Sequence, residues 1–218
     1  MAHPSEYAQE PRWPVTLAIM AALLLNLLLP ARFAGGELFR IVLPLLEASL
    51  LIPLTLIHPH RHHEETPRVR LASLGLIAMI STANLVTLVL LVRFLLSGRS
   101  ISGGQLLLGA MLIWATNVLA FALWYWEFDR GGPGMRRHHT RRLPDFVFPQ
   151  MTTPELSPED WQPAFTDYLY LSFTNATAFS PTDTMPMTTW AKMLMLVQSL
   201  ASLITVGLVF SRAVNILK

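Results

Sequence analysis

Apolar residues gather into five long runs, at 13–30, 38–57, 71–92, 106–126 and 188–216, separated by polar stretches. A helix rises 1.5 Å per residue, so about 20 apolar residues cross the hydrocarbon of a bilayer. Each run reaches about that length and is read as a transmembrane helix. Trp13 and Arg32 fall at the two interfaces of the first span, and Gly35-Gly36 makes the turn that follows. The second run contains Arg40, Pro44, Glu47 and Pro53, which predicts a kinked helix packed against neighbours. Arg40 and Glu47 are candidates for a local ion pair. The third carries Asn84 and closes at Arg93, before a Gly/Ser-rich turn. The fourth carries Trp114, Thr116 and Asn117 and ends in Trp124-Tyr125-Trp126, read as an aromatic belt at the membrane surface.

Residues 1–12 form a polar tail, and 129–160 lie outside the hydrocarbon. That loop opens with Gly131-Gly132-Pro133-Gly134 and a basic run at 136–142, read as lipid-facing or solvated. Asp145-Phe146-Val147-Phe148-Pro149 follows, an aromatic patch suited to the headgroup layer. Ser157-Pro158-Glu159-Asp160 is a helix-start signal. Beyond Pro163 a short helix is predicted over 164–176, about 20 Å long, enough to enter a membrane but not to cross it. Tyr168, Tyr170 and Phe173 would wedge it against the surrounding helices. A Thr/Ser/Asp turn, Pro186 and the last apolar run come next. Non-helical backbone at membrane depth persists only where protein buries it or where it lines a water-filled cavity. The expectation is a re-entrant loop lining a path for water or ions. The chain divides into the tail, a peripheral three-helix bundle (13–103) and a pore-like module (104–218). Within the module, 104–128 is the outer helix, 129–160 the interfacial loop, 161–187 the pore helix and filter-like loop, and 188–218 the inner helix.

The run Ala176-Thr177-Ala178-Phe179-Ser180-Pro181-Thr182-Asp183-Thr184-Met185-Pro186, then Thr188, Trp190, Ala191 and Lys192, resembles the pore module of the tetrameric potassium-channel superfamily. The likeness covers about the last quarter of the chain. It implies that Thr177, Ala178, Phe179, Ser180, Pro181, Thr182 and Asp183 stand where the filter does, with Asp183 at the filter-end Asp and Pro186 at the following Pro. It also implies a homotetramer in which Asp183 becomes a ring of four, a cation-attracting device. Phe179–Pro186 and the Trp126-Glu127-Phe128-Asp129-Arg130-Gly131-Gly132 stretch also resemble segments of a family of bacterial integral membrane proteins, which implies a bacterial cytoplasmic membrane. Ser180 and Thr182 replace the two filter glycines, and Pro181 replaces the Tyr. Glycine permits backbone that other residues adopt at a cost, and proline fixes φ and removes a donor. A wider, hydroxyl- and carboxylate-lined entrance is expected, or one plugged by Phe179, with weak or altered cation selectivity.

Further candidates lie on the spans. Gln198, Ser202, Thr205 and Gly207 on the last run are pore-lining or hinge candidates, and with Ser199 they equally suit close helix packing. Glu47, Asn84 and Asn117 are polar groups inside spans, which are functional candidates by default. His60, His62, His63 and Glu65 are weak metal-ligand candidates in a solvated loop, since no Cys joins them and no helical spacing fixes them.

Composition narrows the field. The 218 residues are 52% hydrophobic and 14% charged, more apolar than an ordinary globular domain. Cysteine is absent, which excludes disulfides and thiolate chemistry. No phosphate loop, His-Glu-x-x-His or nucleophile–base set appears, so no enzyme, bound cofactor or nucleic-acid partner is expected. With five spans, the face bearing the 136–142 run holds ten of the 16 basic residues. The positive-inside rule puts that face in the cytoplasm, whereas the channel resemblance puts the loop mouth outside. The sequence thus reads as an all-α integral membrane protein with five transmembrane helices, one re-entrant pore helix and four-fold assembly, permeated passively by cations. The alternatives are a non-conducting pore-like scaffold that binds partners or lipid, and a proton- or metal-coupled transporter using Glu47 and the His58–Glu65 loop.

Overall fold

The computed structural model describes residues 13–57, 67–97, 102–137, 143–158, 161–178 and 183–216, without the side chains of 53–57, 137 and 209–216. Four helices come first: α1 (Trp13–Leu28), α2 (Glu37–Ile57), α3 (Pro67–Leu96) and α4 (Gly103–Phe128). Short elements follow: α5 (Pro133–Arg137), strand β1 (Phe146–Val147) and α6 (Pro149–Thr152). The chain ends with α7 (Phe165–Ala178), strand β2 (Met185–Pro186) and α8 (Thr189–Ile216). Three described helical segments are long and apolar enough to cross a membrane: Pro67–Leu96, Gly103–Gly131 and Thr189–Leu208. This is the pattern of an all-helical membrane protein. α1 is apolar but has only 16 residues, and α2 carries Glu37, Arg40 and Glu47.

α4 is the hub, packing against α1, α3, α7 and α8. Its sequence explains why it can. Gly109, Ala110, Ala120 and Ala122 are buried along it, and small residues let neighbouring backbones approach closely. Two apolar cores flank it. One joins Ala22, Leu76, Ile80, Leu123, Leu171 and Met195. The other joins Leu29, Phe33, Leu88, Leu91, Leu106 and Ile113. The first three helices therefore rest directly on the module that follows them, through α1 and α3.

The Gly35-Gly36 turn forms as expected, with φ of 82° and 114°, the left-handed region that favours glycine. The Arg40–Glu47 pair does not form. Arg40 reaches the other way, to Glu37 at 3.7 Å and to the Leu27 carbonyl at 2.9 Å, because both lie near the turn where its guanidinium emerges.

The aromatic patches are also placed differently from the expectation. Tyr125 and Trp126 are buried, as are Phe146 and Phe148. Phe146 packs on Tyr125 and edge-on to Trp190, with ring centroids 5.1 and 5.7 Å apart. β1 pairs antiparallel with β2, Phe146 opposite Pro186, and Phe146 is turned inward against Tyr125 and Trp190. Of the helix-start signal, Glu159 and Asp160 lie outside the described residues, the Trp161 N–H donates to the Pro158 carbonyl at 3.0 Å, and the helix that follows begins at Phe165.

Gly109 is a packing constraint. A Cβ there would lie 2.8 Å from the Phe33 ring, which is fully buried and stacked edge-on against Phe94. Overpacking of this kind costs about 1–3 kcal/mol. Gly109→Ala should therefore lower the thermal midpoint in detergent, even though alanine favours helix by about 1 kcal/mol over glycine. Gly75→Ala, where a Cβ would meet nothing within 4 Å, should leave the midpoint unchanged or raise it.

Candidate functional site

α7 is built to start where it does. The Asp167 carboxylate accepts the Ala164 N–H at 2.7 Å, satisfying one of the free amides at the helix start. Burial raises the Asp167 carboxyl above its ordinary value, and the Ala164 bond acts against that. From there α7 runs antiparallel along α4. Phe165 meets Trp126 at a centroid distance of 6.4 Å, in the last turns of α4. Ser172 donates to the Val118 carbonyl at 2.7 Å, and Phe173 meets Trp114 at 5.6 Å, near the middle of α4. The 14 residues of α7 span about 20 Å.

The chain then comes back. Met185-Pro186 lies beside Phe146-Val147, and the Met187 N–H donates to the Asp145 carbonyl at 2.8 Å. These residues are again at the end of α4 where α7 began. An extended chain covers about 3.3–3.6 Å per residue, so the six residues 179–184 suffice to return over about 20 Å.

A buried polar cluster ties α7 between α4 and α8. Gln198 of α8 is its centre. Its Oε1 accepts from the Tyr125 hydroxyl at 2.6 Å and from Asn175 Nδ2 at 2.8 Å. Its Nε2 donates to Ser172 Oγ at 2.7 Å and to the Ser172 carbonyl at 2.9 Å. Asn117 Nδ2 donates to Ser202 Oγ at 3.0 Å, and Ser199 Oγ donates to Asn175 Oδ1 at 3.1 Å. Groups from all three helices thus bond to one another.

A second polar cluster lies where α4 ends and α7 begins. Asp129 is fully buried. Its carboxylate accepts from the Tyr168 hydroxyl at 2.6 Å and from the Asp145 N–H at 2.9 Å. Asp145 in turn accepts from the Arg130 N–H at 2.8 Å and from Trp190 Nε1 at 2.9 Å. Arg130 sits at φ 53°, a left-handed position rare for a residue with a side chain, and the Asp145 bond holds it there. Gly132, at φ 98°, is confined to glycine, since a Cβ would lie 2.8 Å from the Glu127 carbonyl. Arg136 corrects the lipid-facing expectation at its own position. It is buried, donates to the Trp126 carbonyl at 2.6 Å, and lies over the Trp126 and Tyr168 rings. Phe128, Arg130, Gly131, Leu143, Asp145 and Trp190 line an open cavity of about 390 Å³ beside this cluster.

The expected site residues fall into three groups. Thr177 and Ala178 are exposed at the end of α7, the Thr177 hydroxyl donating to the Phe173 carbonyl at 2.9 Å, and Asp183 is exposed on the return. Phe179, Ser180, Pro181 and Thr182 lie outside the described residues, as do His60, His62, His63 and Glu65. Among the described residues, no three His, Asp or Glu side chains gather in a way that could hold a metal.

Gln198, Ser202 and Thr205 are buried within the chain, so in this protomer the polar stripe of α8 serves packing. The uncovered face of α8 carries Met193, Leu196, Val197, Leu200, Leu203 and Gly207. Asn117 belongs to the Gln198 cluster, whereas Glu47 and Asn84 are buried elsewhere. Of the expected wedge, Tyr168 is buried but Tyr170 and Phe173 are half exposed. Asp129, Asp145, Ser172 and Asn175 carry most of the ordering, and periodicity did not mark them. The Asp-Arg-Gly-Gly sequence was the available signal for Asp129.

No family model, curated protein or solved structure matches the chain. The channel likeness rests on residues 176–192 alone.

Replacing Gln198 tests the cluster. Gln198→Leu leaves the Tyr125 hydroxyl, Asn175 and Ser172 with lost partners in a buried layer. One such unsatisfied group costs about 1–3 kcal/mol, whereas a typical hydrogen bond contributes about 0.5–1.5 net. Thermal unfolding in detergent should show a clear loss for Gln198→Leu and a smaller one for Tyr125→Phe.

Proposed function

We propose that this chain is a passive cation-permeation protein of a bacterial cytoplasmic membrane. It has five spans, with α7 and residues 179–187 as a re-entrant loop, and four copies enclose the path. The observation that carries the reading is the course of α7. It descends to the middle of α4, and the chain is back at the entrance by Met185. A helix ending at membrane depth turns its negative end inward, which stabilises a cation beyond it. Thr177 is exposed at that end, and Asp183 is exposed on the way out.

Two further features support the reading. The sides of α7 and α8 that carry Tyr170, Phe173, Leu196 and Leu200 are left uncovered by the rest of the chain. One copy of a loop cannot enclose a path, and an uncovered side is what neighbouring copies would cover. The buried Gln198 cluster would hold the loop rigid while they do so. On this reading the polar residues of α8 support the loop from behind. The inner half of the path is then lined by Leu196, Leu200 and Leu203, and an apolar constriction of that kind gates by dewetting.

The test is cation flux into liposomes containing the purified protein, with its oligomeric state measured in lipid discs. A four-fold ring with flux that falls severalfold in Asp183→Asn is expected. An intact ring without flux would defeat permeation, and a monomer or dimer would defeat the shared path. Potassium selectivity over sodium as high as that of a true potassium channel would defeat the altered filter.

A further inference from the structure

Glu47 lies in the middle of α2, fully buried, and neither carboxylate oxygen has a hydrogen-bond partner. Among the described residues, no cation answers it from α1, α3 or the rest of α2. α1 contains no ionisable side chain. The ionisable residues of α3 are Arg68, Arg70 and Arg93, all near its ends. Arg70 lies 3.8 Å from Glu127, and Arg93 is in the last turn. α4 carries only Glu127. On α2 itself, Glu37 and Arg40 are paired with each other. The polar group beside Glu47 is the Asn26 carboxamide of α1, whose Nδ2 is also buried and lacks a well-formed bond.

A bare carboxylate in such a place is far costlier than a neutral one, and a group in that position takes up a proton instead. A metal ion would need several more oxygen ligands than one carboxyl and one amide supply. A proton needs no room and only one acceptor.

We infer that Glu47, with Asn26 beside it, is a proton-binding site of the α1–α3 bundle. The site is separate from the α7 loop and does not depend on permeation through it. Release of the proton leaves a bare charge beside Asn26 of α1, so it must accompany entry of water or parting of α1 from α2. The bundle packed on α4 is thereby made sensitive to protonation.

Infrared spectroscopy of the full chain in lipid discs at neutral pH reads the protonated carboxyl directly. The expected result is a protonated-carboxyl component in the wild type that is lost in Glu47→Gln. A wild-type spectrum without it, or one that Glu47→Gln leaves unchanged, overturns the inference. Should the variant fail to fold, a hydrophobic carbodiimide applied to the wild type decides. An adduct on the peptide that bears Glu47 is expected at neutral pH, and an unmodified Glu47 overturns the inference.

Discussion

The Gln198 carboxamide is the interaction on which the placement of the loop depends. A primary amide offers two donors and two acceptor sites, and in an apolar layer each must be met by protein. Here α7 meets them with Ser172 and Asn175, and α4 adds Tyr125. No pair of these helices satisfies the group alone, so it specifies one arrangement of three helices. Apolar packing by itself would tolerate α7 sliding along α4, because Leu and Ala contacts are nearly interchangeable. The amide does not tolerate it, since sliding strands its partners. Such bonds contribute modestly to stability inside membranes, about 0.6 kcal/mol on average, but they fix register.

The Asp129–Asp145 cluster does for the start of α7 and the start of α8 what Gln198 does for their middle. Asp129 holds the start of α7 through Tyr168, and Asp145 holds the start of α8 through Trp190. The two acids are joined through the Asp145 N–H. Descent and return are thus anchored to one short segment after α4. Arg136, buried over Trp126 and Tyr168, supplies a cation to the same region. The left-handed turn at Arg130 to Gly132 then follows from the chain having to reverse within a few residues of α4 while keeping Asp129 inside.

The long helices were legible because nothing competes with an unbroken apolar run. The runs at 71–92 and 106–126 lie inside α3 and α4, and 188–216 became Thr189–Ile216. The predicted 164–176 became Phe165–Ala178, since Pro163 and the Asp167 cap leave little freedom for its start. What could not be read was direction. Phe146 and Phe148 fit a headgroup layer as well as an interior, and only the pairing of β1 with β2 turns them inward. Arg136 looked solvated because a basic run says nothing of its ring partners. Gln198 and Ser202 suited a pore lining by composition, but which side of α8 faces its own chain is decided by α4 and α7 together.

That last placement bears on how a path between copies would work. A polar lining and a polar support make opposite demands on the same residues. A lining needs groups with bonding capacity left for ions and water, whereas a support must spend that capacity on protein. On α8 the capacity of Gln198 and Ser202 is spent, and the uncovered side is Leu196, Leu200 and Leu203. In the proposed path, polar contact with a permeant ion would therefore have to come from the stretch Thr177 to Asp183. On that proposal the work of dehydrating an ion would fall on one short stretch that has Pro181 and hydroxyls where the channel superfamily has glycines and a tyrosine.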